Sequence, residues 1–327
     1  MTPASSPQYR RGTVCAAVGV LLRRRLICHA LVLASAAGCA TGDAQQASQE
    51  RPPQEYLRSG ERALDWTGRF VALGERPAGS AALRMQSKLI ARSLRRLPCD
   101  VSVDEFTAST PLGDISMRNI VAKFGPLGAA GVIVVSGHYD TKALPGFVGA
   151  NDGGSSAALL LVLAERIARH SAIRVPVWIV FFDGEESVVE WRDGDHTYGS
   201  RRLARAWKAD GTAARIRMLI NVDMIGDASL NILQEGYSDA RVRREVWRIA
   251  RSLGYQNSFS DEIGYVEDDH LPFLEAGIPS LNLIDFDYGP GNSYWHTTED
   301  SIDRLSEASF GIVLHVLEEV LRRASAL

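Results

Sequence analysis

The sequence has few cysteines, and their positions exclude a disulfide-stabilised body. Its 327 residues include four cysteines. Three of them, Cys15, Cys28 and Cys39, lie in the first 39 residues, so Cys99 alone remains for the rest of the chain. Because an internal disulfide needs two cysteines, the hydrophobic core itself must stabilise the folded body.

Basic residues are in deficit beyond the N-terminal segment. The chain carries 36 Lys and Arg against 39 Asp and Glu. Five arginines and no acidic residue fall within residues 1–39, which leaves 31 basic and 39 acidic groups for the remainder. Because affinity for nucleic acid depends on many contacts from Lys and Arg to phosphate, we expect no nucleic-acid partner.

Several common catalytic signatures are also missing. The sequence contains no Gly-x-Ser-x-Gly elbow, no Walker loop and no His-Glu-x-x-His pair. Its composition is otherwise that of a globular protein, with 46% hydrophobic and 23% charged residues. These values exclude a disordered chain. Because the common signatures are absent, a catalytic site must be indicated by patterns other than these motifs.

The N-terminal segment has the pattern of an export signal. Three arginines at 23–25 precede an apolar run over 26–37, which is too short to span a bilayer because spanning takes roughly 20 residues. Residues 33–39 resemble the lipobox of bacterial lipoproteins, in which the cysteine is acylated, although Ala36 stands where leucine is usual. An ordinary secretory signal is the alternative. We expect an exported protein, either periplasmic or an outer-membrane lipoprotein attached to the membrane only through a lipid on Cys39.

The rest of the chain predicts one α/β domain. Residues 40–53 are small and polar and predict a flexible tether, so the domain is expected over residues 54–327. Helical spacing of apolar residues predicts helices over 56–73, 80–97, 155–169, 241–253 and 305–321. Apolar alternation or continuous apolar runs predict strands over 101–106, 115–124, 131–136, 175–182, 217–223 and 279–284.

The order of these elements predicts the sheet topology. The helix over 155–169 connects two strands whose continuous apolar runs indicate burial on both faces. Such a βαβ unit favours a parallel pair. We therefore predict a mixed, mostly parallel central sheet covered by helices on both faces.

Polar side chains collect where the predicted strands end, which is where open α/β sheets build their sites. The residues concerned are His138 and Asp140, Glu185 and Glu186, Asp223, His296 and, at the start of the intervening helix, Asp152. So many carboxylates would repel one another and raise their pKa values without a cation. Mixed His, Asp and Glu ligands suit zinc, so the sequence predicts a zinc site.

In order and spacing, these residues resemble the ligand series of the M28 zinc aminopeptidase family. Within it the chain is most similar to the animal-type glutaminyl-peptide cyclotransferases, or glutaminyl cyclases. The segments that carry this similarity are FFDGEESVVEW (181–191), YGSRRLA (198–204), EDDHLPFLEAGIPSLNLI (267–284) and YWHTTEDSIDRL (294–305). The resemblance implies a zinc aminopeptidase-like α/β sandwich.

The resemblance also implies a role for each matching residue. It makes Asp152, Glu186 and His296 the ligands of a single zinc, and Glu185 the general acid/base. It places Asp223 and Asp268 in an acid network around Glu185. It makes Trp191 and Trp295 the walls of the substrate pocket, and in a two-zinc peptidase it makes His138 and Asp223 ligands of the second metal.

Two of these assignments have simpler alternatives. Trp191 follows Val188 and Val189 and would also suit the core or a surface loop. The run from Asp268 to His270 precedes an apolar segment and would also serve as a helix N-cap. The chain departs from the animal enzymes as well, because Asn282 stands where they carry a histidine.

The resemblance leads us to expect a monomeric zinc enzyme acting on peptide N-termini. A peptidase must activate a water, for which two metals are suited. Cyclisation of an N-terminal glutamine needs no external nucleophile, because the substrate's own α-amine attacks its γ-carboxamide, and one zinc suffices. We expect a glutaminyl cyclase that forms pyroglutamate, with N-terminal glutamate as a second candidate substrate. A two-zinc aminopeptidase and a non-catalytic binding domain are the alternatives.

Overall fold

A mixed six-stranded sheet forms the centre of the domain. A computed structural model describes residues 10–11, 50–126, 128–170 and 172–325. Apart from Arg10 and Arg11, the predicted signal peptide and lipobox lie outside the described residues, as do residues 40–49 of the predicted tether.

Each predicted helix and strand lies close to its predicted position, and the structure contains further elements that were not predicted. The helices are α1 (Gln54–Val71), α2 (Ala81–Leu94), α3 (Gly154–Arg169), α4 (Tyr198–Ala209), α5 (Ala240–Ser252), α6 (Leu271–Glu275) and α7 (Glu307–Ala324). The strands are β1 (Arg10–Arg11), β2 (Asp100–Thr110), β3 (Gly113–Phe124), β4 (Val132–His138), β5 (Val177–Phe182), β6 (Ile216–Asp223), β7 (Ile232–Glu235), β8 (Phe259–Tyr265) and β9 (Ser280–Ile284).

The central sheet has the strand order β2-β3-β5-β4-β6-β9. Strands β5, β4, β6 and β9 are parallel to one another. Strand β3 pairs antiparallel with β5, and β2 pairs antiparallel with β3. The predicted βαβ unit is confirmed, because α3 joins the parallel strands β4 and β5. A second sheet of order β1-β8-β7 was not predicted from the sequence.

Helices cover both faces of the central sheet, as predicted. Because side chains alternate along a strand, β5 contributes to two separate cores. Its residues Val177, Ile179 and Phe181 pack with α1, α3 and α7, whereas Trp178, Val180 and Phe182 pack with α4 and α6. This double burial explains why the strand reads as a continuous apolar run.

The domain includes residues from the end of the predicted tether. The carboxylate of Glu50 accepts hydrogen bonds from the backbone N–H groups of Asn257 and Ser258, at 2.7 and 3.0 Å. Pro52 is buried. Glu50 and Pro52, which fall within the predicted tether, are therefore in contact with the domain, and the boundary at residue 54 stays a prediction. In the described part of the chain, no helix combines the length and apolar character needed to cross a membrane.

Gly137 is required by a close approach near the end of β4. A Cβ atom at this position would lie 2.6 Å from the carbonyl oxygen of Val222 on β6 and 2.9 Å from the Cβ of Ser156 on α3. The missing side chain therefore lets β4, β6 and the start of α3 pack together. This contact fixes the part of the sheet from which His138 and Asp223 emerge.

Candidate active site

The carboxyl ends of the parallel strands gather the predicted site residues at one edge of the sheet. His138 is the last residue of β4 and Asp223 the last of β6, while Glu185 and Glu186 follow the end of β5. Asp152 precedes α3. These residues arrive from four separate segments, so their convergence is a property of the parallel topology and not of local sequence.

One group of three side chains is suited to hold a metal ion. Nε2 of His296 lies 3.2 Å from Oδ2 of Asp152 and 3.0 Å from Oε1 of Glu186. One ligand atom from each residue lies within 4.8 Å of the others. The set offers one nitrogen and two carboxylate oxygens, a donor combination typical of zinc sites with an open coordination position. The residues present therefore fit the predicted metal.

A second possible metal group shares Asp152 with the first. Nε2 of His138 lies 3.3 Å from Oδ1 of Asp152 and 3.1 Å from Oδ1 of Asp223. The two carboxylate oxygens of Asp152 thus face different imidazoles. This arrangement brings together the residues predicted as second-metal ligands of a peptidase.

Buried aspartates hold the segments that carry these side chains. Asp140 accepts hydrogen bonds from the backbone N–H groups of Glu185 and Glu186, both at 3.2 Å. Asp300 accepts from the N–H groups of Asn151 and Asp152, at 2.7 and 3.1 Å. Both carboxylates therefore orient residues of the candidate metal site. Asp300 was missed by the sequence reasoning, although it lies in the segment 294–305 that carries the family resemblance.

Glu185 lies beside the metal group in a strongly acidic and buried environment. Burial raises its pKa well above the usual range, and the neighbouring Glu186 and Asp268 raise it further, whereas His138 opposes the shift. Burial likewise raises the pKa of Asp223 to about 7 despite the nearby His138. A carboxyl group with a raised pKa can both take up and return a proton near neutral pH.

Glu235 fixes the loop that carries Asp268. Its side chain accepts hydrogen bonds from the N–H of Val266 at 3.3 Å and contacts Nε2 of His270 at 3.0 Å. These two contacts lie on either side of Asp268 in the chain. No side chain caps the following helix α6, so the N-cap alternative for this run is wrong. No sequence pattern indicated Glu235, which lies on strand β7, an element that was not predicted.

Two tryptophans flank the cleft above these acids. The Trp295 ring stacks on the His296 ring with centroids 4.0 Å apart and packs against Phe286. The indole N–H of Trp191 donates to Glu267 at 3.2 Å, and its ring stacks on His196 at 4.2 Å. The cleft is lined by these tryptophans together with Asp152, Glu185, Glu186, Asp223, Met224, Val266, Glu267, Asp268, Ile284, Phe286 and His296.

Unusual backbone conformations occur around the same cleft. His296 itself has a φ of 53°, and Met224, which follows Asp223, has a φ of 47°. Thr197 has a φ of 47° and donates its N–H to the carbonyl of Glu185 at 2.7 Å. Residues other than glycine seldom adopt this left-handed region, and such strain concentrates at functional sites.

The sequence of this chain matches a protein-family model and is similar to known proteins. Residues 119–321 match the model of peptidase family M28. The chain is 32% identical over 267 residues to the glutaminyl-peptide cyclotransferase of Drosophila melanogaster, covering 72% of this chain and 73% of that protein. It is 34% identical over 256 residues to a glutaminyl-peptide cyclotransferase-like protein of Mus musculus, covering 69% and 66% of the two chains.

A solved structure shows the same fold. The crystal structure of an Acidobacteriales bacterium glutaminyl cyclase superimposes with a TM-score of 0.78 at 34% identity. The superposition covers 86% of this chain and 99% of that one. The predicted sandwich fold is therefore confirmed.

Replacing Asp183 by asparagine is expected to flatten the dependence of stability on pH in the zinc-free protein. Burial, reinforced by Asp140, raises the pKa of Asp183 to about 8, against roughly 3.9 in an unfolded chain. The folded state therefore keeps a proton that the unfolded chain has lost. Stability from this group is fully present below pH ~4 and declines as the pH rises to about 8, by at most ~1.4 kcal/mol per pH unit.

Urea unfolding between pH 5 and pH 8 in a chelating buffer measures this slope. Oδ2 of Asp183 accepts hydrogen bonds, whereas its buried Oδ1 has no partner, so an amide nitrogen can replace Oδ1 without losing a bond. The control is Asp65→Asn, at an exposed carboxylate on α1. Equal slopes for the wild type and both variants would contradict the prediction.

Proposed function

The chain belongs to peptidase family M28, and on this premise we propose that it is a zinc-dependent glutaminyl cyclase. It converts N-terminal glutamine of peptides to pyroglutamate and releases ammonia. The observation that carries this proposal is the acid cluster of Glu185, Asp223 and Asp268 beside a three-residue metal group in a cleft flanked by two tryptophans. The names of the similar proteins support the same activity.

Asp152, Glu186 and His296 would hold the zinc ion. Zinc supplies a Lewis acid that polarises the γ-carboxamide of the substrate. His138 lies on the other side of Asp152 and contacts Asp223. In a one-zinc enzyme His138 would serve as the charged partner of the carboxylates around it. Asp223, Glu185, Asp140 and Asp152 together raise its pKa well above the usual range in spite of its burial.

The reaction needs little more than positioning and proton transfer. The α-amine and the γ-carboxamide belong to the same residue, so ring closure benefits from a large effective molarity. The amine must lose a proton as its nitrogen attacks the carbonyl carbon, and the amide nitrogen must gain one to leave as ammonia. A single buried acid/base can perform both transfers.

We assign this proton transfer to Glu185. Its carboxylate takes the proton from the attacking amine and returns it to the departing nitrogen. Because burial and the neighbouring acids raise its pKa, Glu185 holds the proton firmly enough for the second transfer. The neighbouring Glu186 and Asp268 support this raised pKa.

Trp191 and Trp295 form the walls that receive the glutamine side chain. Both are held in place, Trp191 by Glu267 and His196 and Trp295 by Phe286 and His296. Flat apolar walls grip a small side chain and exclude water. Exclusion of water favours attack by the amine over hydrolysis of the amide.

A two-zinc aminopeptidase is the second candidate function. The observation that favours it is the group of His138, Asp152 and Asp223, whose ligand atoms lie within the same 4.8 Å limit as the first group. In such an enzyme the two groups would share Asp152. The substrate would then lose its N-terminal residue, and no ammonia would form.

Product analysis distinguishes these activities and is the test of the proposed function. We expect a peptide that begins with glutamine to release ammonia and to retain all its residues as pyroglutamyl peptide. The same peptide with an acetylated N-terminus is the control, because its nitrogen is no longer nucleophilic. Release of a free amino acid without ammonia would establish the peptidase. The absence of both products would indicate a non-catalytic binding domain.

Glu185→Gln is expected to reduce kcat by about 10²- to 10⁴-fold while the zinc content stays at one ion per chain. The amide keeps the shape of the side chain but accepts no proton. Elemental analysis and turnover of a glutamine peptide provide the two measurements, and Glu262→Gln at an exposed position is the control. Loss of zinc in the variant, or two zinc ions in the wild type, would show that these roles are misassigned.

The protein is further proposed to be exported, with Cys39 carrying a lipid and residues 1–38 removed. The apolar run over 26–37 and the following lipobox-like segment support this proposal. Growth with a labelled fatty acid is expected to label the wild type and the Cys28→Ser control but not Cys39→Ser. Label that persists in Cys39→Ser would contradict acylation at Cys39.

A further inference from the structure

An open groove lies between strand β2 and helix α4, outside the cleft described above. Its volume is about 550 Å³, and residues 106–109 of β2 line one side. Helix α4 lines the other side and contributes Arg201, Arg202 and Arg205. None of the described residues that line it is a carboxylate. We name this feature the basic groove.

The arginines of the basic groove are only partly compensated by acids. Arg202 pairs with Asp104 at 3.3 Å, whereas Arg205 has no ion-pair partner among the residues that the structure describes. Arg201 donates to backbone carbonyls, which carry no net charge. Burial, and after it the charge of Arg205 one turn away, lowers the pKa of Arg201. Because like charges at this spacing repel each other, a bound anion would stabilise the groove.

Aromatic rings hold two of these guanidinium groups in place. Arg201 lies over the ring of Tyr198, 5.3 Å from its centroid, and Arg202 lies over the ring of Phe106 at 5.9 Å. A guanidinium group beside a ring still offers N–H donors in a planar fork that matches a carboxylate. The basic groove is therefore suited to bind a carboxylate side chain.

The basic groove is continuous with the cleft that holds the candidate metal site. A depression of about 380 Å³ shares several lining residues with the groove, Gly194 among them. Glu190 and Arg192 also line this depression, and they flank Trp191, which lines the cleft. The segment that carries Trp191 therefore borders the cleft on one side and the depression on the other.

The charge of the lining side chains changes sign along this path. At the cleft, Glu267 accepts the indole N–H of Trp191. In the depression, Arg192 lies 3.0 Å from Glu190 and 3.9 Å from Asp193, so that two acids face one base. Only the basic groove beyond them offers arginines without a carboxylate in its lining. A peptide that leaves the cleft along this path meets acidic groups first and basic groups later.

We infer that the basic groove extends the substrate site and binds an acidic segment of the peptide, several residues after the N-terminal glutamine. This inference rests on the proposed function, in which the glutamine side chain lies between Trp191 and Trp295. Its continuity with the cleft favours a substrate over a membrane surface, because only a substrate occupies both features.

The position of β2 in the sheet suits an extended occupant. Among the described strands, β2 pairs with β3 alone, so its other edge is not covered by a strand. An extended chain advances by about 3.3 Å per residue, so the intervening depression separates the glutamine from the groove by a few residues. The preferred substrates are therefore peptides with Asp or Glu beyond the first few positions.

A charge scan of the substrate tests this inference. Peptides begin with glutamine, are otherwise uncharged, and carry a single glutamate or a single lysine at one of positions 2 to 8. We expect glutamate beyond about position 3 to give a KM about 3- to 10-fold lower than lysine, because ion pairs at exposed sites contribute modestly. We expect kcat to change little, since such contacts act equally on the bound substrate and the transition state. A scan without preference at any position would overturn the inference.

Charge reversal in the groove provides the matched variant. In Arg205→Glu the preference is expected to invert, so that lysine at the best position gives the lower KM. Arg92→Glu, at an exposed position of α2 on the opposite face of the sheet, makes the same change in net charge and is the control. Because each variant is compared on two peptides, a general loss of activity cancels. Wild-type preference in Arg205→Glu, or its inversion in both variants, would overturn the inference.

A membrane surface is the competing occupant of the basic groove. Phosphatidylcholine vesicles with and without phosphatidylglycerol are therefore sedimented with the wild type and with Arg205→Glu. We expect no binding that depends on Arg205. Vesicle binding that Arg205→Glu abolishes, together with a flat peptide scan, would assign the groove to a lipid surface and overturn the inference.

A binding measurement keeps this inference apart from the proposed function. Fluorescence polarisation of labelled glutamate and lysine peptides needs no turnover. If the wild type releases no ammonia, the proposed function fails, and the polarisation measurement still decides whether the basic groove selects acidic peptides. If ammonia is released without any charge preference, the proposed function stands and the extended substrate site fails.

Discussion

Mutual repulsion among buried carboxylates is the constraint on which this site depends. Asp152, Glu185, Glu186, Asp223 and Asp268 line one cleft, and each is largely withdrawn from water. Burial alone would favour their protonation. The fold counters this tendency in a different way for each group, and those differences separate carboxylates suited to hold a cation from carboxylates suited to hold a proton.

Contacts from imidazole side chains are one way in which the fold opposes protonation of a buried carboxylate. The pKa of Asp152 is lowered in spite of burial because His138 and His296 both contact its carboxylate, which suits a metal ligand. Glu185 has no comparable contact, since its nearest imidazole nitrogen, Nδ1 of His138, is 3.8 Å away. Its raised pKa suits a proton carrier. Adjacent positions in one chain segment, Glu185 and Glu186, thereby acquire different chemistry from their surroundings alone.

Sequence patterns predicted the features that depend on local chemistry or on sheet topology. Strands buried on both faces appear in the sequence as continuous apolar runs. The polar residues at the carboxyl ends of these runs indicated that His138, Glu185 and Asp223 belong to the site. Strand β7 has only four residues and β8 lacks apolar alternation, so neither was predicted. Asp300 and Glu235 act by hydrogen bonds to segments far away in the chain, and no short pattern encodes such contacts. The orienting roles of Asp300 and Glu235 therefore become visible only in the folded structure.

The position of Asp152 between two imidazoles explains how one scaffold serves two chemistries. Its Oδ1 faces His138 and its Oδ2 faces His296, at 3.3 and 3.2 Å. A peptidase can use both sides to hold two metals and activate water. A cyclase needs one metal and a proton carrier, so the His138 side can remain an ion pair with Asp152 and Asp223.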